Sequence, residues 1–365
     1  MASTGINFSS ITPDNGAIRD LSELILREVA EPDSIGGQVN FLPAQKHGKK
    51  IGFVGEFGML GKPATGCGTD YDHNLMNTTE KEWDIKRWQI KEEICYSDLA
   101  GTLAQSALRS GTAVEDLTGT DYIDKFAAPR LTTAVKKLIN RIAWFGDKEA
   151  SVYESPGNTN GTLKPGQKAE NFTIADGLWK RIFAGVAGGT IKKVAIAANG
   201  KTSKAEQKTA IRAAGVASGI IEDLITEAPA VLRQMEGLRV YVSQALADAL
   251  TLDVRHNNRG SELQWEALKA GISTTRYAGV EIVALPFWDE IIDGSLQNTE
   301  NTAAADKPFR ALLSVKDNLL VGSESDNEMA ELVIGFDQRS GVNYIKVIDS
   351  IGTQIADDNL VVVAY

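Results

Sequence analysis

Three histidines, His47, His73 and His256, fall in three separate segments of the chain. None has a Ser, Cys or carboxylate at a spacing that assembles a catalytic triad or a metal site, so each is read as a surface side chain. Gly61-Lys62 has the look of a phosphate loop, but the pattern G-x-x-x-x-G-K-[ST] needs glycine where Glu56 stands and Ser or Thr where Pro63 stands. No nucleotide site follows. Gly215-Val-Ala-Ser-Gly219 lies in a helical pattern with the wrong spacing for a nucleophile elbow, so core packing is its role, and the same holds for residues 185–189. Acidic pairs at Glu92-Glu93, Asp289-Glu290 and Asp357-Asp358 could serve as acid/base groups, yet adjacent carboxylates on a strand point to opposite faces and are read as solvated edges or loops.

Trp83 and Trp88 with Lys86, Arg87 and Lys91 have the residue types of a surface that stacks bases and holds phosphates. Interleaved Glu80, Glu82, Asp84, Glu92 and Glu93 cancel that field, which favours a protein–protein strip of salt bridges and aromatic anchors. Cys67 and Cys95 have no second Cys or His at metal-like spacing and are read as free thiols. No cofactor or metal site is expected, and nothing marks the chain as an enzyme.

With 365 residues, 43% of them hydrophobic, the chain can build a substantial core. A formal net charge of −10 excludes wholesale neutralisation of phosphates and a polybasic membrane patch. No apolar run is long enough for a membrane span, and the start lacks a charged region followed by an apolar block, which points to a cytoplasmic product.

The elements that must position these residues begin with a short amphipathic helix, in which Ile18, Leu21, Leu24, Ile25 and Val29 keep helical spacing until Pro32. Residues 33–50 read as irregular, part of an extended arm. Over residues 48–96 the glycines at 52, 55, 58 and 61 and the charged run 81–91 read as a two-stranded ribbon with no core of its own. Trp83 and Ile85 are out of phase with Trp88 and Ile90, so the return strand bulges near Lys86 and Arg87 or is covered on both faces; coverage on both faces is the favoured reading. Such a ribbon must lie on something else, and a second copy of the chain is the natural support.

A helix over 98–109 precedes the strongest helical signal, where Leu131, Val135, Leu138, Ile142 and Phe145 repeat at steps of 4, 3, 4 and 3. Thr120 or Asp121 can cap it, Gly146 can close it, and Pro129 kinks it or marks its true start. After a polar loop over 151–170, helices at 175–187, 203–228 and 244–255 alternate with strands at 192–197, 239–242 and 280–285, an α/β pattern. The chain returns as strands, with Ala311, Leu313 and Val315 alternating, then Leu332, Ile334 and Phe336, then 344–349 and 360–365.

This order of parts resembles the major capsid protein of tailed bacteriophages, the Hong Kong 97-like fold. So do the strings IGFVGEFGMLGK at 51–62, RIAWFGD at 141–147, RALLSVKDNLLVG at 310–322 and the ending LVVVAY at 360–365. The resemblance implies an α+β chain with an N-terminal arm (1–46), an extended β-hairpin loop (47–97), a peripheral domain with a long spine helix (98–170), an inserted α/β axial domain (171–305) and return strands (306–365). It implies self-assembly into pentamers and hexamers of an icosahedral shell around double-stranded DNA, in a virion assembled in the host cytoplasm. Carried over by position, Glu56, Lys62, Glu82, Trp83, Arg87 and Trp88 would touch the adjacent subunit, Ile18, Leu21 and Leu24 would anchor the arm, and Asn257, Asn258 and Arg259 would face the capsomer axis. Implied partners are the chain itself, a separate scaffolding protein, a portal and decoration proteins, with weak, sequence-blind contact to DNA and no membrane. No covalent cross-link is expected. Competing functions are an encapsulin-type nanocompartment with the same fold, and an enzyme using the middle α/β segment, which would require a pocket of clustered ionisable groups.

Overall fold

The computed structural model describes residues 35–54, 78–94, 128–256, 266–267, 272–324, 331–337 and 342–365. Three sheets organise them. The largest has seven strands in the order β5 (Lys192–Val194), β14 (Val362–Ala364), β10 (Ala311–Val315), β6 (Leu238–Ser243), β9 (Val280–Leu285), β8 (Ser273–Tyr277) and β7 (Glu266–Ala267), with β5–β14 and β6–β9 parallel and the other pairs antiparallel. It divides two hydrophobic cores. Tyr241, Leu312, Val283 and Val363 project into one core, while Val240, Val242, Ala311, Leu313, Ile282 and Val362 project into the other. All five residues of β10 are therefore buried, not alternate ones as the sequence pattern suggests, because both faces of this strand are covered.

One core is closed by α2 (Ala128–Phe145), α3 (Leu178–Ala187) and α8 (Pro286–Gly294); the other by α5 (Val216–Glu227) and α7 (Gln244–His256). Pro129 is the second residue of α2, in the first turn, where a missing N–H costs nothing. The helix is amphipathic at first, with Val135 and Ile139 buried, and then enclosed on all sides at Ile142, Ala143, Trp144 and Phe145. A Cβ on Gly146 would stand 2.1 Å from the Ala175 carbonyl oxygen, and one on Gly177 would stand 2.7 Å from the Gly146 nitrogen. Two glycines thus let the chain cross itself where α2 ends. Beyond that crossing, Trp288 meets Trp144 and Trp179 edge-on at 4.8 and 5.2 Å, an aromatic centre shared by α2, α3 and α8.

The expected single helix over 203–228 is two, α4 (Lys204–Ile211) and α5, followed across Pro229 by the short α6 (Ala230–Gln234). Gly215 separates α4 from α5 with φ +78°, and its N–H donates to Asp253 of α7 at 2.5 Å. Asp253 also accepts from the Ser218 N–H at 3.0 Å and hydroxyl at 2.6 Å, so α7 caps the start of α5. Asp289 of α8 does the same for α7, accepting from the Gln244 and Ala245 N–H groups at 2.6 and 3.3 Å. The Asp289-Glu290 pair, read from sequence as solvated, thus splits: Glu290 is exposed, and Asp289 is half-buried, where burial pushes its carboxyl up to about 6 against the two N–H groups that lower it.

A second sheet is built on the 14-residue β13 (Val342–Ile355). Its first half lies between β12 (Glu331–Asp337) and β4 (Lys86–Ile94), and its second half pairs with β11 (Leu319–Gly322), which continues in parallel to β1 (Asn40–Leu42). The irregular arm expected over 33–50 is instead anchored there. Ile35 of α1 (Ile35–Gln38) and Val39 are buried, the Gln38 carbonyl accepts from the Tyr241 hydroxyl at 2.6 Å, and the Gln38 side chain accepts from the Trp144 indole at 3.3 Å. The third sheet is the two-stranded ribbon of β2 (Lys50–Val54) and β3 (Thr78–Glu82).

Candidate interaction surfaces

At the ribbon stem β2 and β3 pair with each other and with no other strand among the described residues. Lys50 and Glu80 face each other across it at 2.9 Å with side chains 66% and 61% exposed, and that pairing holds the Lys50 amine above its usual range. The stem is tied to the body at Lys81, which meets Asp358 at 2.6 Å.

After Glu82 the chain leaves the ribbon. Trp83, Asp84 and Ile85 form a corner, and β4 then runs along β13 from Lys86 to Ile94. Trp83 is fully buried with Ile85, Leu320 and Ala356, against Leu42 and Ile51, and its ring lies 3.0 Å from where a Cβ on Gly322 would be. Its backbone is held from both sides, by Lys49 at 3.0 Å and Gly48 at 2.9 Å. Asp84 gathers two cations, Lys148 and Lys86 at 3.5 Å, and lies 3.6 Å from the His47 imidazole. In β4, Trp88 is buried and Ile90 half-buried on the core side, while Arg87, Gln89, Lys91 and Glu93 are exposed on the other.

Two sequence expectations are corrected here. The phase change between Trp83 and Trp88 marks neither a bulge nor cover on both faces; the ribbon strand ends and a new strand with a different partner begins. Trp83 and Trp88, at 0% and 3% exposure, are enclosed by their own chain and have no surface to offer a neighbouring subunit. The physical reason is that β13 supplies the missing partner strand from more than 250 residues downstream. Glu82 remains exposed, and Arg87 reaches the Glu324 carboxylate at 3.5 Å. Ile18, Leu21, Leu24, Glu56, Lys62, Asn257, Asn258 and Arg259 lie outside the described residues, as do Cys67, Cys95, His73 and the ribbon between 55 and 77.

A cavity of about 380 Å³ opens beside the aromatic centre, lined by Phe145, Phe172, Trp179, Phe183, Leu163 and Arg310 among others. The Arg310 guanidinium, 1% exposed, stands 5.2–5.4 Å from the rings of Trp179, Phe183 and Phe145, and burial lowers its basicity. It meets the Asp306 carboxylate at 2.9 Å and donates to the Lys307 carbonyl at 2.9 Å. The other cations of this wall, Lys180 and Lys307, pair with Asp147 and Asp306, each at 2.9 Å. The ionisable groups are thus spent on one another in ion pairs. Sequence reasoning missed Arg310, since only the fold brings Phe145, Trp179 and Phe183 around it. Among the described residues no three His, Cys, Asp or Glu side chains come together as metal ligands, and no helix is long and apolar enough to cross a membrane.

No protein-family model matches the chain, and no curated protein matches it by sequence. Its structure is similar to solved capsids. A chain of the satellite phage P4 procapsid, in a structure that includes the size determination (Sid) protein, is 13% identical with a TM-score of 0.50, covering 94% of this chain and 98% of that one. The capsid of the native GTA particle is 9% identical with a TM-score of 0.51, covering 92% and 90%. A chain of Gordonia phage Cozz is 12% identical with a TM-score of 0.51, covering 90% and 85%. The chain therefore has the mixed α/β fold of phage capsid proteins, the class that its order of parts resembles.

Proposed function

We propose that this chain is the major capsid protein of a tailed phage, which assembles into pentamers and hexamers of an icosahedral shell enclosing double-stranded DNA. The observation that carries the reading is the extent of the structural likeness: it runs through at least 90% of this chain and 85% of each of those three chains, two of them from a procapsid and a capsid, rather than through one shared domain. The ribbon stem supports it, because a two-stranded sheet with no third strand among the described residues is marginal in water and gains from lying on another surface.

In this reading the seven-stranded sheet with α4 to α7 is the axial domain, α2 is the spine of the peripheral domain, and the extended loop is shorter than 47–97, running from β2 to β3. Glu82 and Arg87 stay on the surface as contacts to the next subunit, with Glu56 and Lys62 further out on the loop, Ile18, Leu21 and Leu24 on the arm, and Asn257, Asn258 and Arg259 at the capsomer axis. Assembly uses a portal and either a separate scaffolding protein or none. The role is structural. Electron microscopy of the recombinant chain tests it: rings or closed shells are expected, and a monomer at every concentration overturns it. Particles that enclose a protein cargo rather than nucleic acid would place the chain with the nanocompartments.

A further inference from the structure

Residues 192–212 hold six of the chain's basic side chains and a single acidic one, Glu206, although the chain as a whole is at −10. Four of the six, Lys201, Lys204, Lys208 and Arg212, are exposed on and around α4. The last three follow one another at i, i+4 and i+8, about 6 Å apart along the helix axis at 1.5 Å per residue. Lys204 meets Asp293 at 2.8 Å and lies close enough to Lys164 that burial first, and Lys204 after it, lower the Lys164 amine below its usual range. Lys201, Lys208 and Arg212 make no ion pair or side-chain hydrogen bond among the described residues. Glu206, the acidic side chain among them, folds back on the start of the helix, accepting from the Thr202 hydroxyl at 2.6 Å and its N–H at 3.2 Å, so its charge lies beside Lys201 and away from Lys208 and Arg212.

This pattern does not stabilise the helix. Like charges at i, i+4 repel, and Lys201 and Lys204 stand at the N-terminal end, where the helix dipole disfavours cations. We infer that the exposed face of α4 is a docking strip for the phosphate backbone of duplex DNA, a reading that rests on the proposed shell function for the source of that DNA. The residues between the cations decide for DNA over a protein partner. Thr202, Ala205, Thr209, Ala213 and Ala214 are exposed there and include no aromatic or large apolar group, so the face lacks the anchors a protein interface depends on. Small and hydroxyl side chains between cations suit a polyanion held by charge alone, without base readout. Contact of this kind is local, weak and sequence-blind, compatible with an acidic chain.

The test is the salt dependence of binding of a short labelled DNA duplex to the full chain. Each phosphate contact contributes about 0.9 to the slope of log K against log salt, so the double variant Lys208→Gln/Arg212→Gln is expected to flatten the slope by about 1.8. Lys201→Gln, in the loop ahead of the helix, is expected to flatten it by about 0.9 and keeps the test open if α4 is disturbed. The control is Lys91→Gln/Lys346→Gln, which removes a pair of lysines opposed across β4 and β13 and is expected to leave the slope unchanged. Unchanged slopes in both α4 variants, or a polyglutamate peptide bound as tightly as the duplex, overturn the proposal, the latter in favour of an acidic protein. Microscopy of the same variants separates the two readings. Shells with an unaltered slope sink this one alone, and a flattened slope without shells sinks the capsid reading alone.

Discussion

Arg310 and Lys50 are both basic side chains beside a carboxylate at 2.9 Å, yet one is 1% exposed among aromatic rings and the other 66% exposed on the ribbon stem. The same pairing has different consequences in the two places. Water screens the Lys50–Glu80 pair and solvates either partner if the other is lost. Arg310 is enclosed, so its guanidinium depends on the Asp306 carboxylate and the Asp306 and Lys307 carbonyls that it meets. The body of the molecule is fastened by desolvated contacts that are costly to break, and the ribbon by contacts that are cheap to exchange for those of a neighbour.

The largest effect that would test this contrast is Arg310→Ala, which leaves Asp306 with Lys307 alone and empties the space between three rings; a loss of about 3–5 kcal/mol in urea unfolding is expected from the emptied space. If the loss were below about 1 kcal/mol, the aromatic wall would be shown to close without the cation. Trp83→Ala comes next, at about 3–5 kcal/mol even in chains kept unassembled, since its ring is buried by its own subunit. A variant that melts like wild type when unassembled but fails to form particles would return Trp83 to the interface role expected from sequence.

Asp289 sharpens the contrast through pH. Its folded carboxyl is raised from 3.8 to about 6, first by burial, so the contribution of this group is fully present below pH 3.8 and is lost as pH rises through 6. Across that window the stability of wild type relative to Asp289→Asn is expected to fall by at most about 3 kcal/mol, and an Asn variant that tracks wild type at every pH would show the group to be solvated. Smallest of all is Lys50→Ala, for which no measurable shift of the unfolding midpoint is expected. A clear shift would mean that the stem contributes to the body's stability after all.

Much of the architecture was legible in residue order. The 4-3-4-3 apolar steps from Leu131 to Phe145 report α2, and the runs at 239–242 and 280–285 report the strands β6 and β9, because a local period depends only on neighbours in sequence. The ribbon's extent was legible only in part. Nothing within residues 81–91 says that pairing stops at Glu82, since that choice belongs to β13. Arg310, Asp253 and Asp289 were invisible as structural centres for a related reason: a lone charged residue in a sequence carries no sign of the ring or helix start it will meet.

Period and composition thus determined by themselves α2, α3 and α7, most strands and the order of parts that resembles a capsid protein. Which strands pair, which carboxylate caps which helix, and which tryptophans are enclosed were decided by the tertiary structure alone. Those outcomes depend on groups brought together from distant points of the chain, and their energies come from desolvation, which no local stretch of residues possesses until the whole has folded.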